Sequence, residues 1–146
     1  MDKLKLYLGD CLEVMKDIPD KCVNLILCDP PFGTTRNKWD SVIDLDLMWK
    51  EYNRIIKDNG AILLFAQTPF DKVLGVSNIK NLKYEWIWRK PQGTGHLNAK
   101  KMPLKNHENI LVFYASPPRT IHNLEKGNLI PAKVVEVVVI MESKYQ

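Results

Sequence analysis

The chain has 146 residues, 45% of them hydrophobic, and its 21 basic and 17 acidic side chains leave a formal net charge of +4. That is enough apolar material for the core of a single small domain, or part of one, and no apolar stretch approaches the length of a membrane span. The charged start, Met1-Asp2-Lys3-Leu4-Lys5, lacks the apolar centre of a signal peptide, so a cytoplasmic protein is expected. The three cysteines, Cys11, Cys22 and Cys28, have no Cys-x-x-Cys spacing and an odd number, which argues against a disulfide framework and a zinc cage; no metal is expected.

Taken in chain order, strands and helices alternate. Leu4 to Leu8 alternates apolar and basic residues as a short strand does, and Gly9-Asp10 ends it before the amphipathic turns Leu12 to Ile18, which Pro19 closes. Val23 to Cys28 reads as a buried strand. Asp44 to Lys57 places Leu45, Leu47, Met48, Tyr52, Ile55 and Ile56 close to one helical face, with Asp58-Asn59-Gly60 as a left-handed cap. Ala61 to Ala66 has the length of a buried strand, and Thr68-Pro69 opens a helix running to about Val76. Tyr84 to Trp88 and Asn109 to Tyr114 supply two more strands. The alternation predicts an α/β fold: a three-layer, mostly parallel sheet.

The strand Val23 to Cys28 stops at Asp29-Pro30-Pro31-Phe32-Gly33. An acid, two prolines and an aromatic directly after a buried strand stand at the carboxyl edge of the sheet, where open α/β sheets bind ligands. The prolines remove donors and fix φ, which leaves the carbonyls of Asp29 and Pro30 free to accept from a ligand. An exocyclic amine on a flat heterocycle suits that group of acceptors, its N–H groups taken by a carboxylate and a carbonyl while its ring stacks on Phe32.

Asp-Pro-Pro-(Tyr/Phe) after a hydrophobic strand resembles the catalytic motif of the amino-group DNA methyltransferases, which methylate adenine N6 or cytosine N4. The likeness extends over about residues 4–118. It includes Tyr7 to Met15, Gly33 to Asp40, Tyr84-Glu85-Trp86-Ile87-Trp88, Asn98 to Pro103 and His107 to Phe113, and is similar to phage and prophage-type members whose catalytic motif precedes the cofactor's glycine loop. The resemblance implies a Rossmann-like methyltransferase fold, S-adenosylmethionine as methyl donor and double-stranded DNA as partner. It assigns catalysis to Asp29, Pro30, Pro31 and Phe32, and cofactor contacts to Asp10, Cys11, Leu12 and Asp29. Asp29 and the Pro30 carbonyl would hold the target amine in near-attack geometry, with Phe32 stacked on a base swung out of the duplex. Asp rather than Ser before the prolines favours adenine N6. The plainer roles are a helix N-cap for Asp10 and a core aromatic for Phe32.

Residues 80–105 hold Lys80, Lys83, Arg89, Lys90, Lys100, Lys101 and Lys105 against the single acid Glu85, interleaved with Tyr84, Trp86 and Trp88. A stretch of this kind has the electrostatic footprint of a phosphate-tracking surface, the other reading being a solvated face. Arg89, Lys90, Lys100, Lys101 and Lys105 are therefore expected on DNA, with Thr34, Arg36 and Lys38 from the polar segment that begins at Gly33. Gly93-Thr94-Gly95 is not a dinucleotide fingerprint, since Pro103 interrupts the next segment of the chain and Glu108 comes too early; it is expected in a loop facing DNA.

The departure from the family lies beyond Tyr114, where a target-recognition segment and a Phe-x-Gly-x-Gly loop are expected and not found. The chain reads as the catalytic half of a methyltransferase, residues 1–118, with an atypical tail, residues 119–146. Val134 to Ile140 in that tail is strongly strand-forming and an aggregation-prone edge if unpaired. Back-translating Leu124 to Glu142 and moving the frame by one nucleotide gives a glycine- and serine-rich string similar to the family's continuation, so a shifted frame is one expectation. The functional alternatives are an active adenine-N6 methyltransferase and a non-catalytic DNA-binding remnant, with a homodimer partner or a complementing fragment to complete it.

Overall fold

A computed structural model describes residues 5–33 and 41–117, together with the backbone of 137–140. Asp10 opens α1 (Cys11–Val14) by accepting from the Leu12 amide at 2.9 Å, and a tighter turn, Met15–Asp17, carries the chain to Pro19. Then come β1 (Val23–Cys28), α2 (Leu45–Ile55), β2 (Ile56–Ala66), α3 (Phe70–Ser77), β3 (Leu82–Thr94), β4 (Lys105–Phe113) and β5 (Val137–Ile140). The sheet order is β3-β4-β2-β1-β5. β1 runs parallel to β2 and β5, while β4 is antiparallel to β2 and β3, so four of the five strands point one way. This is the open, mostly parallel α/β sheet the alternation predicts.

Strand alternation sorts the core. Ile26, Cys28, Ile62, Leu64, Ala66, Leu111 and Phe113 face one side, where Cys11 and Met15 of the first turns, Met48, Trp49, Tyr52 and Ile55 of α2, and Phe70 and Leu74 of α3 cover them. The Trp49 indole donates to Ser77 Oγ at 2.8 Å and ties α2 to α3. Arg54 closes the layer: its guanidinium donates to the carbonyls of Met15 at 2.6 Å and Ile18 at 2.8 Å, at the end of the first helical segment. Ala61, Leu63 and Val112 face the other side, with Leu25, Leu27, Tyr84, Ile110 and Tyr114 packed against them. All three described helices lie on the first side; the third layer is not among the described residues.

Several local expectations change. Residues 5–8 form no strand, and Leu6 and Leu8 are exposed: the segment packs on no strand of the described sheet, so its alternation has no face to bury; Leu4 lies outside the described residues. The segment Asp58-Asn59-Gly60 does not cap α2. Ile55 ends that helix, and these residues belong to β2 where its register against β1 jumps from Val23↔Ile56 to Leu25↔Ala61. Gly60 is required there by close approach, since a Cβ would stand 2.7 Å from Ile56 Cγ1 and 2.9 Å from the Asn24 carbonyl oxygen. The helix that Thr68-Pro69 is expected to open, with threonine as cap and proline in the first turn, starts one residue later: Pro69 holds the cap position and the Thr68 hydroxyl reaches the Asp71 carboxylate at 3.4 Å. Gly93 and Thr94 lie in β3 rather than in a loop.

Candidate active site

Cys28, the last residue of β1, pairs with Leu64, so Asp29 emerges at the carboxyl edge beside the end of β2. Asp29 is exposed and Pro30 buried, with Pro31 and Phe32 between. The Phe32 ring stacks on Phe70 at 5.5 Å and 30°, and packs against the helix-covered core. The first turn of α3 is pinned below it: Asn109 Nδ2 donates to Asp71 Oδ2 at 3.0 Å, and Lys72 pairs with the same oxygen at 3.0 Å. Burial pushes the Asp71 carboxyl up, but the contacts with Lys72 and Asn109 outweigh it and hold the group below the usual range.

On the face of the sheet that no described helix covers, a second set of groups meets the same edge. Trp88 of β3 stands opposite Glu108 of β4, and Lys90 forms an ion pair with Glu108 while its ammonium lies 5.2 Å over the Trp88 ring. Phe65 of β2 meets Trp88 edge-on at 5.5 Å. Alternation from Leu25 and Leu27 turns Asp29 toward this side. Although the residue is exposed overall, burial on its inner side pushes the Asp29 carboxyl above the ordinary range, Glu108 adds to the rise and Lys90 opposes it. The edge therefore presents one carboxylate of raised proton affinity, next to a neutralised acid–base pair and an aromatic wall. A planar group with amino hydrogens fits these acceptors.

Sequence reasoning placed Lys90 on DNA, read His107-Glu108 as a loop or DNA-side element ahead of a strand where the structure puts both within β4, and left out Phe65 and Phe70. The signal for Glu108 was present: it is the first acid after Glu85 in a basic stretch. Of the other cations, Arg89, Lys100 and Lys101 are exposed, whereas Lys105 is half-buried and its ammonium donates to Gln67 Oε1 at 3.3 Å and to the Thr68 carbonyl at 3.4 Å. Thr34, Arg36 and Lys38 lie outside the described residues. Among the residues expected on the cofactor, Asp10 is exposed and uses one carboxylate oxygen on the Leu12 amide, Cys11 is 5% exposed within the core, and Leu12 packs against that core. Asp10 and Asp29 thus fit a polar ligand through their side chains; Cys11 can meet one only through its backbone.

Among the described residues no group of three His, Cys, Asp or Glu stands ready for a metal ion, and no described helix is long and apolar enough to cross a membrane. A concavity lined by Lys21, Asn53, Asp58, Asn78, Asn81 and Tyr114 opens at the amino ends of β1 and β2. It lies at the opposite end of the sheet from Asp29.

The mostly parallel α/β sheet, with an acid followed by two prolines at its carboxyl edge, is that of an incomplete Rossmann-like methyltransferase fold. The comparisons agree: residues 23–138 match the family model described as DNA methylase, of the N6/N4 type, and the chain belongs to that family. S-adenosylmethionine is the cofactor that goes with it. The type II methyltransferase M.BamHI of Bacillus amyloliquefaciens is 35% identical over 94 residues, which cover 57% of this chain and 22% of that protein. The PvuII DNA methyltransferase, cytosine-N4-specific, superposes with a TM-score of 0.61 at 17% identity, over 96% of this chain and 58% of that one. M1.HpyAVI in complex with S-adenosylmethionine gives a TM-score of 0.55 at 22% identity, over 73% of this chain and 53% of that one. The chain therefore spans between about a fifth and three fifths of the length of these relatives.

Proposed function

We propose that this chain carries the catalytic edge of a cytoplasmic DNA methyltransferase that acts on adenine N6 in double-stranded DNA. The observation that carries the reading is the exposed Asp29 carboxylate at the end of β1, followed by two prolines and within electrostatic reach of the Lys90–Glu108 ion pair. A purine amine is a weak nucleophile because its lone pair is conjugated with the ring. Asp29 accepts one of its N–H groups and the Pro30 carbonyl accepts the other, which turns the lone pair out of conjugation and fixes its direction. S-adenosylmethionine, when bound, supplies the electrophilic methyl group; Asp10 and Asp29 are the side chains of this chain that would hold it. The base reaches the edge only when extruded from the stack. Arg89, Lys100 and Lys101 stand ready for phosphates. Adenine is favoured over cytosine by Asp, rather than Ser, before the two prolines.

The partial coverage of its relatives favours a second reading, a DNA-binding unit that transfers methyl groups only with a second copy or a complementing fragment. One experiment separates the readings. The protein is titrated with S-adenosylmethionine in a calorimeter, then incubated with the methyl-labelled cofactor and unmodified DNA, and the DNA is digested to nucleosides. Heat of binding and label in N6-methyladenine support the enzyme. Label in N4-methylcytosine overturns the choice of base, and DNA binding with neither heat nor label supports the second reading.

A further inference from the structure

The pairing of β4 with β2 begins only at Asn109↔Ala66, yet β3 and β4 pair with each other beyond that point, through Arg89↔His107 and Thr94↔Lys105. The two strands leave the sheet as a ribbon, and they leave it at the edge where Asp29 emerges. Lys105 fastens the ribbon's base to Gln67 and Thr68. Its tip, residues 95–104, begins at Gly95, whose φ of +94° suits glycine, and continues in a short turn, His96–Asn98.

The tip has an unusual composition for a loop in water. Leu97 is 102% exposed and Met102 57%. Leu104 is partly exposed too, but it lies against Gly93 within the ribbon, where a Cβ on Gly93 would come within 3.0 Å of it. Leu97 and Met102 are thus the apolar groups held out from the fold. Lys100 and Lys101 stand beside them, also exposed, and residues 86–107 contain no acid. An apolar point within a cationic collar suits one occupant above others, a polyanion with an apolar interior, which is duplex DNA. A two-stranded ribbon also has the width of a DNA groove.

We infer that the β3–β4 ribbon enters the duplex beside the base that Asp29 receives, with Leu97 as the wedge that fills the gap in the stack and Lys100 and Lys101 on the flanking phosphates. The inference rests on the proposed reading of the site, and it makes the ribbon the device that keeps the extruded base from returning. A hole already present in the stack should therefore favour binding, because the cost of opening it is removed.

The test measures anisotropy of a labelled duplex, fully paired or with one central abasic site, in the absence of cofactor. Wild-type protein is expected to bind the abasic duplex about tenfold more tightly. Leu97→Ala is expected to bind both at the intact-duplex affinity, and Leu97→Phe to keep the preference. Lys100→Ala with Lys101→Ala should weaken both complexes, with a shallower salt dependence and the preference intact. Equal affinity of the wild type for both duplexes, or a preference that survives in Leu97→Ala, overturns the wedge while leaving the methyl-transfer reading in place. A preference abolished by Leu97→Ala in a protein that transfers no methyl group supports the wedge and overturns the catalytic reading. Failure to bind either duplex overturns both, and a dimer that Leu97→Ala splits would assign the tip to a second copy of the chain and overturn the wedge.

Discussion

The two faces of the sheet are built for different purposes. On the helix-covered side Tyr52, Leu64, Leu74 and Phe113 are sealed at 1% exposure or less, whereas on the other side Trp86 and Trp88 remain 41% and 48% exposed. Burial of large apolar groups is the main source of stability in a small domain, so the helical side holds the fold together. The side that no described helix covers also carries, beside Ala61, Leu63 and Val112, groups a sealed core would not tolerate: a carboxylate, a Lys–Glu pair and half-exposed indoles toward the carboxyl edge. The fold is secured on one face and offers its chemistry at the rim of the other. Changes on the two sides should therefore register in different measurements.

The largest expected effect is on activity alone. Asp29→Asn should lower methyl transfer by about 100- to 10,000-fold, since the amide is a poorer acceptor for the target amine. It should not lower the melting temperature. The folded protein raises this carboxyl above its ordinary range, so whatever stability the group contributes is present in acid and is lost as pH rises through the raised value. At neutral pH the ionised group works against folding, and a neutral amide leaves stability unchanged or improved. A melting temperature that falls together with the rate would make Asp29 structural and break the comparison.

Next in size is the core itself. Leu64→Ala, at a fully buried position among helices α2 and α3, should cost about 2–5 kcal/mol in urea unfolding. Trp86→Ala, at a half-exposed position on the other face, should cost less, about 1–2 kcal/mol. Equal losses at the two positions would mean that the two faces hold the fold together alike.

Most of this division could be read from residue order where the signal was local. The run Val23 to Cys28 became β1 with its ends unchanged, and the apolar spacing of Met48, Tyr52 and Ile55 marked the buried stripe of α2. Asp29 at the carboxyl edge followed from where that strand had to stop. What failed depended on distant partners. Leu4 to Leu8 has a strand pattern, but a strand needs a partner, and alternation alone does not supply one: residues 5–8 pair with no strand of the described sheet, while β5, more than a hundred residues later, joins β1. Asp58-Asn59-Gly60 looked like a cap because Gly60 was read for its conformation rather than for the Asn24 backbone it must approach. The Lys90–Glu108 pair was invisible for the same reason: only the register of Trp88 against Glu108 places the lysine beside the acid instead of on a phosphate.

That pair yields a smaller effect with a sign that can be checked. The acid limb of the rate profile should lie above the ordinary carboxylate range. Lys90→Met removes the charge that lowers the Asp29 carboxyl and leaves Glu108 uncompensated, so the limb should move up; Glu108→Gln removes a charge that raises it and frees Lys90, so the limb should move down. Shifts of up to about one pH unit are expected. Displacement in the same direction, or none, would show that the two residues only brace the hairpin.

The smallest effect tests whether Asp10 belongs with the structural or the chemical half of the molecule. Its carboxylate caps α1 through the Leu12 amide, so Asp10→Ala should cost about 1 kcal/mol, and Asp10→Asn, an equally good cap, should cost nothing measurable. A capping role predicts that cofactor affinity follows stability, weakened by alanine and kept by asparagine. If the second carboxylate oxygen instead accepts from a hydroxyl of S-adenosylmethionine, both variants should weaken its binding while only alanine weakens the fold, because the amide has lost the charge that strengthens such a bond. Calorimetric titration of the two variants beside their melting curves distinguishes the outcomes, and unchanged cofactor affinity in both would confine Asp10 to its helix.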